Sequence, residues 1–99
     1  LPHYSSAKAA VINFTHALAL ELAPYGIRVN SVSPGFAETP LTEGSLTNER
    51  FMQSIKRNTA LGRIGTSEEI AKVIAFAASS DASYMTGSDL LVDGGWMIT

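Results

Sequence analysis

Ile27-Arg28-Val29-Asn30-Ser31-Val32-Ser33 is a short run rich in β-branched residues, and Pro34-Gly35 ends it. A run of that kind, bounded by turn residues, reads as a strand. A helix precedes it. From Ser5 to Ala23 the residues Ala7, Val11, Phe14, Leu18 and Leu22 recur at helical spacing and form one stripe. Ala9, Ala10, Ile12, Ala17, Ala19 and Leu20 make most of the remaining surface apolar. A helix that is apolar nearly all round is buried on more than one side. Pro24 and Gly26 stop it.

Beyond Pro34-Gly35 the chain runs as a loop from Phe36 to Leu46, with Thr39, Pro40 and Gly44. Thr47 is placed to cap a second helix over about Asn48 to Asn58, with Phe51 and Ile55 inward. Leu61 to Gly65 is a turn region. Thr66-Ser67-Glu68-Glu69 reads as a capping box for a third helix, which reaches about Ser79 with Ile70, Val73, Ile74 and Ala77 inward. Thr86-Gly87 leads into a last strand, Asp89 to Val92, closed by Asp93-Gly94-Gly95. Strands separated by helices imply parallel pairing through right-handed crossovers. The fold class is therefore α/β. Two strands are too few for a sheet that helices can cover, so further strands are expected from outside this sequence.

The 99 residues suit one small domain, here residues 1–99 as part of a single larger one. At 45% hydrophobic and 16% charged the chain is apolar for its length, so much of that surface is expected to meet something else. The net charge of −2, without a basic run, gives nucleic-acid binding no electrostatic support. There are no cysteines, and His3 and His16 lack the spacing of a metal site. The apolar stretches are broken by Asn13, Thr15, His16 and Glu21, short of the roughly 20 residues needed to cross a bilayer. A cytoplasmic protein without a membrane partner is expected.

Tyr4 and Lys8 lie four residues apart at the head of the first helix, one turn apart on one face. A free phenol has a pKa of about 10, and a neighbouring ammonium favours the phenolate. That pairing suits proton transfer near neutral pH. Parallel sheets bind ligands beyond the carboxyl ends of their strands, where Pro34-Gly35 stands. Gly35 would let a ligand approach the backbone, and Thr39 adds a hydroxyl.

These stretches, with Leu61-Gly62-Arg63-Ile64-Gly65, Glu68-Glu69-Ile70-Ala71, Thr86-Gly87 and Val92-Asp93-Gly94-Gly95, run in one order over nearly the whole chain. The chain resembles the carboxyl-terminal part of a short-chain dehydrogenase/reductase. The resemblance implies a Rossmann-like doubly wound parallel sheet. It implies NAD or NADP as cofactor, with Tyr4, Lys8, Pro34, Gly35, Ala37 and Thr39 binding it. It implies Tyr4 and Lys8 as the catalytic residues, Tyr4 acting as general acid in reduction and as base in oxidation. The expected partners are a small-molecule carbonyl or alcohol, the missing amino-terminal half of the fold, and further copies in a homodimer or homotetramer. The family's glycine-rich phosphate loop, NAD/NADP-sorting residue, relay asparagine and catalytic serine all precede Tyr4 and are absent here. The chain thus reads as the second part of something longer, inactive by itself. A non-catalytic fragment or assembly module is the alternative, and an epimerase or dehydratase the weaker third reading. The segment Leu41 to Arg57 would form the substrate lid. Glu38 is expected to be solvated, and Asp93 to order the last turn.

Overall fold

The computed structural model describes residues 2–38, 44 and 47–96, with side chains in the first helix from residue 6 onward. The elements are α1 (Pro2–Leu22), β1 (Ser31–Pro34), α2 (Glu49–Asn58), α3 (Ser67–Ala78) and β2 (Asp89–Val92), with a 3-10 turn after α1 and another after α3. β1 and β2 pair in a two-stranded sheet. Ser31 N–H donates to the Ser88 carbonyl and Gly35 N–H to that of Val92, each at 2.9 Å. Both strands advance in the same sense between these bonds, so the pairing is parallel, as the alternation of helices and strands predicts. The chain divides into two compact units, Leu1–Ser33 with Ile74–Leu90, and Pro34–Val73 with Leu91–Thr99.

In the first unit, α1 passes into a 3-10 turn at Ala23–Tyr25, and Gly26 closes it at φ 74°, donating to the Ala23 carbonyl. The covered face of α1 is the expected one only in part. Leu18 and Leu22 are half-buried as expected, but Ala7, Val11 and Phe14 are exposed, and Lys8, Ile12, Thr15 and Ala19 form the covered line beside them. Each of these four lies one residue, about 100° round the helix, beyond an expected position. Where apolar residues surround a helix, size decides the packed face. Ala19 is buried, and its Cβ lies 3.5 Å from the place a side chain at Gly87 would begin. Buried Thr15 donates back to the Val11 carbonyl at 2.8 Å, so its hydroxyl is satisfied within the helix.

The first strand is also shorter than the sequence suggests, because residues 27–30 are held by other means. The Arg28 guanidinium donates to the carbonyls of Ala77, Ser79 and Met85 at 3.0–3.2 Å, joining the last carbonyls of α3 to the segment after the 3-10 turn. Val29 N–H donates to Thr86 Oγ1, and Asn30 bonds both the Met85 carbonyl and Ser88 N–H. Beside one backbone bond, from Gly87 N–H to the Val29 carbonyl at 2.7 Å, side chains take the place of a ladder here. Ile74, expected inward on α3, is 52% exposed.

In the second unit, the cap of α2 is Asn48 rather than Thr47. Asn48 Oδ1 accepts from Phe51 N–H at 3.0 Å, whereas Thr47 donates to the Gly44 carbonyl. Ile55 is 1% exposed and centres the core of this unit. The capping box forms as expected, with Thr66 N–H on Glu69 Oε1 and Glu69 N–H on Thr66 Oγ1. Glu38 is exposed, its carbonyl accepting from the Ser67 hydroxyl. Asp93 orders the last turn, as expected, by accepting Gly95 N–H at 2.9 Å. A Cβ at Gly95 would meet that of Ala60 at 2.5 Å, and its φ is +86°, so only glycine fits there.

Candidate active site

α1 runs without a break through both Tyr4 and Lys8. The Tyr4 side chain lies outside the described residues. Lys8 is half-buried on the covered line of the helix and makes no ion pair among the described residues. A lysine ammonium carries three donors and no acceptor, which suits the hydroxyls of a ligand.

Pro34, Gly35 and Ala37 come together at the end of β1. Gly35 has a packing requirement that its sequence position does not suggest. A Cβ there would strike the Cα and Cβ of Asp93 at 2.9 Å, so the close approach is to the second strand's own end. Its N–H is committed to Val92. Ala37 is buried at 8% exposure and forms a parallel bridge with Gly65, which ties residues 36–38 to the segment before α3. The stretch expected to be a plain loop thus begins as an extended strand end. Thr39 lies outside the described residues, as does most of the lid segment before α2.

Contacts that the sequence did not disclose, and Trp96, cluster in the second unit. Phe36 meets Phe51 at 5.3 Å between ring centroids and Trp96 at 5.4 Å, edge-on in both cases. The three lie on a strand end, a helix and the final turn, so no local spacing reveals them. Arg63 and Glu69 face a small open cleft lined also by Phe36, Leu61, Ile70 and Val92. They form a bidentate pair at 2.8 and 2.9 Å. The side-chain hydrogen bond from Arg63, then the Thr66 N–H, hold the Glu69 carboxyl at about 2, well below its ordinary 4.5. The cleft's charges satisfy one another, which suits a lock between turn and helix better than a reaction centre. No group of residues that could hold a metal occurs among the described residues. No described helix is long and apolar enough to cross a membrane.

Comparisons with known proteins agree with this picture. The family model described as enoyl-(acyl carrier protein) reductase matches residues 1–97. The 3-oxoacyl-[acyl-carrier-protein] reductase FabG of Aquifex aeolicus is 46% identical over 93 residues, which cover 94% of this chain and 37% of that protein. Among solved structures, a 4-hydroxyisoleucine dehydrogenase complexed with NADH superposes with a TM-score of 0.92 at 38% identity, over 97% of this chain and 40% of that one. A short-chain type dehydrogenase/reductase from Mycobacterium marinum does so at 0.87 and 44% identity, over 99% of this chain and 37% of that one. The chain therefore spans about two fifths or less of the length of these relatives.

Proposed function

Since the chain belongs to the short-chain dehydrogenase/reductase family, we propose that it is the carboxyl-terminal portion of an oxidoreductase that moves a hydride between NAD or NADP and a carbonyl or alcohol. The observation that carries this reading is α1. One unbroken helix holds Tyr4 and Lys8 a turn apart, and Lys8 is half-buried without an acidic partner among the described residues.

The donor set fits the nicotinamide end of such a cofactor. An ammonium and a phenol suit the ribose hydroxyls, and strand-end peptide groups suit a carboxamide. When bound, the dinucleotide supplies or accepts the hydride. Tyr4 donates its phenolic proton to the carbonyl oxygen as it becomes an alkoxide, and takes it back in the reverse direction. Lys8 Nζ holds the ribose hydroxyls and keeps the phenol's pKa down. Pro34, Gly35 and Ala37 line the nicotinamide with backbone. Gly35 contributes its carbonyl, since its N–H is already bonded. The Thr39 hydroxyl reaches the carboxamide or the pyrophosphate.

On this reading residues 1–99 are part of one Rossmann-like domain and are inactive by themselves, because two strands make no covered sheet. The intact protein is a cytoplasmic homodimer or homotetramer. The exposed Phe14, Leu20 and Tyr84 support further cover for this part of the chain, since they leave large apolar side chains open to solvent. The test is to assay the intact protein with NADH and NADPH against ketoesters, steroids, sugars and small ketones, beside residues 1–99 alone. Turnover by the intact protein and none by the piece is expected. No turnover with any pair would overturn the assignment.

A further inference from the structure

β1 carries a polar clamp that the proposed chemistry does not use. Ser31 and Ser33 are two residues apart and so share one face of the strand. Both donate to the same oxygen, Asp89 Oδ1 on β2, each at 2.7 Å. All three residues are half-buried. Strand positions of this kind favour β-branched and aromatic residues, so a serine, a second serine and an aspartate are not explained by packing. Hydroxyls bonded to a carboxylate at this length are about twice as strong as neutral hydrogen bonds. The clamp lies immediately before Pro34-Gly35. Just beyond it there is little room for adjustment, because Gly35 rests on the Asp93 backbone with no space for even a methyl group.

We propose that Asp89 is a positioning residue: by gathering the Ser31 and Ser33 hydroxyls it sets the register of β1 on β2, and with it the Pro34-Gly35 backbone that faces the nicotinamide. The second half of this inference rests on the oxidoreductase reading; the first half does not. Two variants separate the clamp from bulk stability. Asp89→Asn keeps an oxygen able to accept both hydroxyls, and Asp89→Leu removes it.

The readouts are amide hydrogen exchange of the Ser31–Phe36 segment in the cofactor-free intact protein, and cofactor KM against kcat. For Asp89→Leu, exchange at the Ser31 and Gly35 amides should speed by about tenfold. Its cofactor KM should rise by a similar factor while kcat stays within about twofold. Asp89→Asn should stay within about twofold of wild type in all three. Unchanged protection in Asp89→Leu, or equal damage from Asp89→Asn, would overturn the clamp. If Asp89→Leu fails to fold, Ser33→Ala removes one of the two bonds and should show the same changes in smaller degree; wild-type exchange and KM there would overturn it as well. A wild-type protein that binds neither dinucleotide would sink the oxidoreductase reading, while the exchange comparison would still decide the clamp.

Discussion

α1 and α2 are both helices with repeating apolar residues, yet they use them in opposite ways. α2 buries Ile55 to 1% exposure and turns Glu49, Arg50, Gln53, Lys56 and Arg57 to solvent. α1 buries Thr15 and Ala19 and leaves Phe14 64% and Leu20 80% exposed. Scattered exposed apolar residues are ordinary, but a helix that hides its small residues and presents its large ones is waiting for cover. α2 completes its packing inside its own unit. α1 combines the proposed reacting side chains, Tyr4 and Lys8, with large apolar side chains left open.

The largest test of this contrast is on α1. Tyr4→Phe in the intact protein should lower turnover by roughly 10² to 10⁴, because the alkoxide loses its positioned proton donor. Its thermal midpoint should not move. Near-normal turnover would remove chemistry from α1 and leave only surface.

On α2 the effects should reverse, with stability lost and the catalytic pH profile kept. Ile55→Ala should cost about 2 to 5 kcal/mol by urea unfolding, the range for a large core side chain cut to a methyl. A cost well under 1 kcal/mol would mean that α2 is not a finished core helix.

Leu20→Ser tests whether α1 is covered in the assembled protein. If it is, the change should cost about 1.5 to 3 kcal/mol and yield smaller species in sedimentation, as for an apolar side chain that is fully buried. Wild-type stability together with a wild-type sedimentation profile would show that Leu20 is simply solvated.

The smallest effects concern locks built from neighbours in sequence. Thr66→Ala should cost about 1 kcal/mol, the usual value of a lost cap. The Arg63–Glu69 pair adds a pH dependence. The Glu69 carboxyl is held at about 2 in the folded chain against an ordinary 4.5. Its contribution is therefore complete above pH 4.5 and fades as pH falls toward 2. Thermal midpoints of wild type and Glu69→Gln should differ at pH 6 and converge near pH 2. A constant difference across that range would show that the pair is broken in solution.

The order of elements, the parallel pairing, the last strand at Asp89–Val92 and the capping box at Thr66–Glu69 were all legible in the sequence. Each depends on residues close together, where propensity and side-chain reach decide. Asp93 was legible for the same reason, its carboxylate bonding an amide two residues on. The cap of α2 shows the limit of local rules, since Thr47 and Asn48 are both suitable and only the backbone entry chose Asn48.

What the sequence determined by itself is the class of the fold, the Tyr4–Lys8 spacing and the family, because these are written in patterns a few residues long. What the tertiary structure decided is which face of α1 is covered, why position 35 is glycine, how Trp96 joins Phe36 and Phe51, and where Asp89 is spent. α1 is apolar all round, so periodicity could not choose among its faces; the close approach of Gly87 to Ala19 chose. Gly35 and Asp93, like Ser31 and Asp89, are 58 residues apart in the chain. Their contacts exist only because two parallel strands lie side by side, and no local pattern encodes that register.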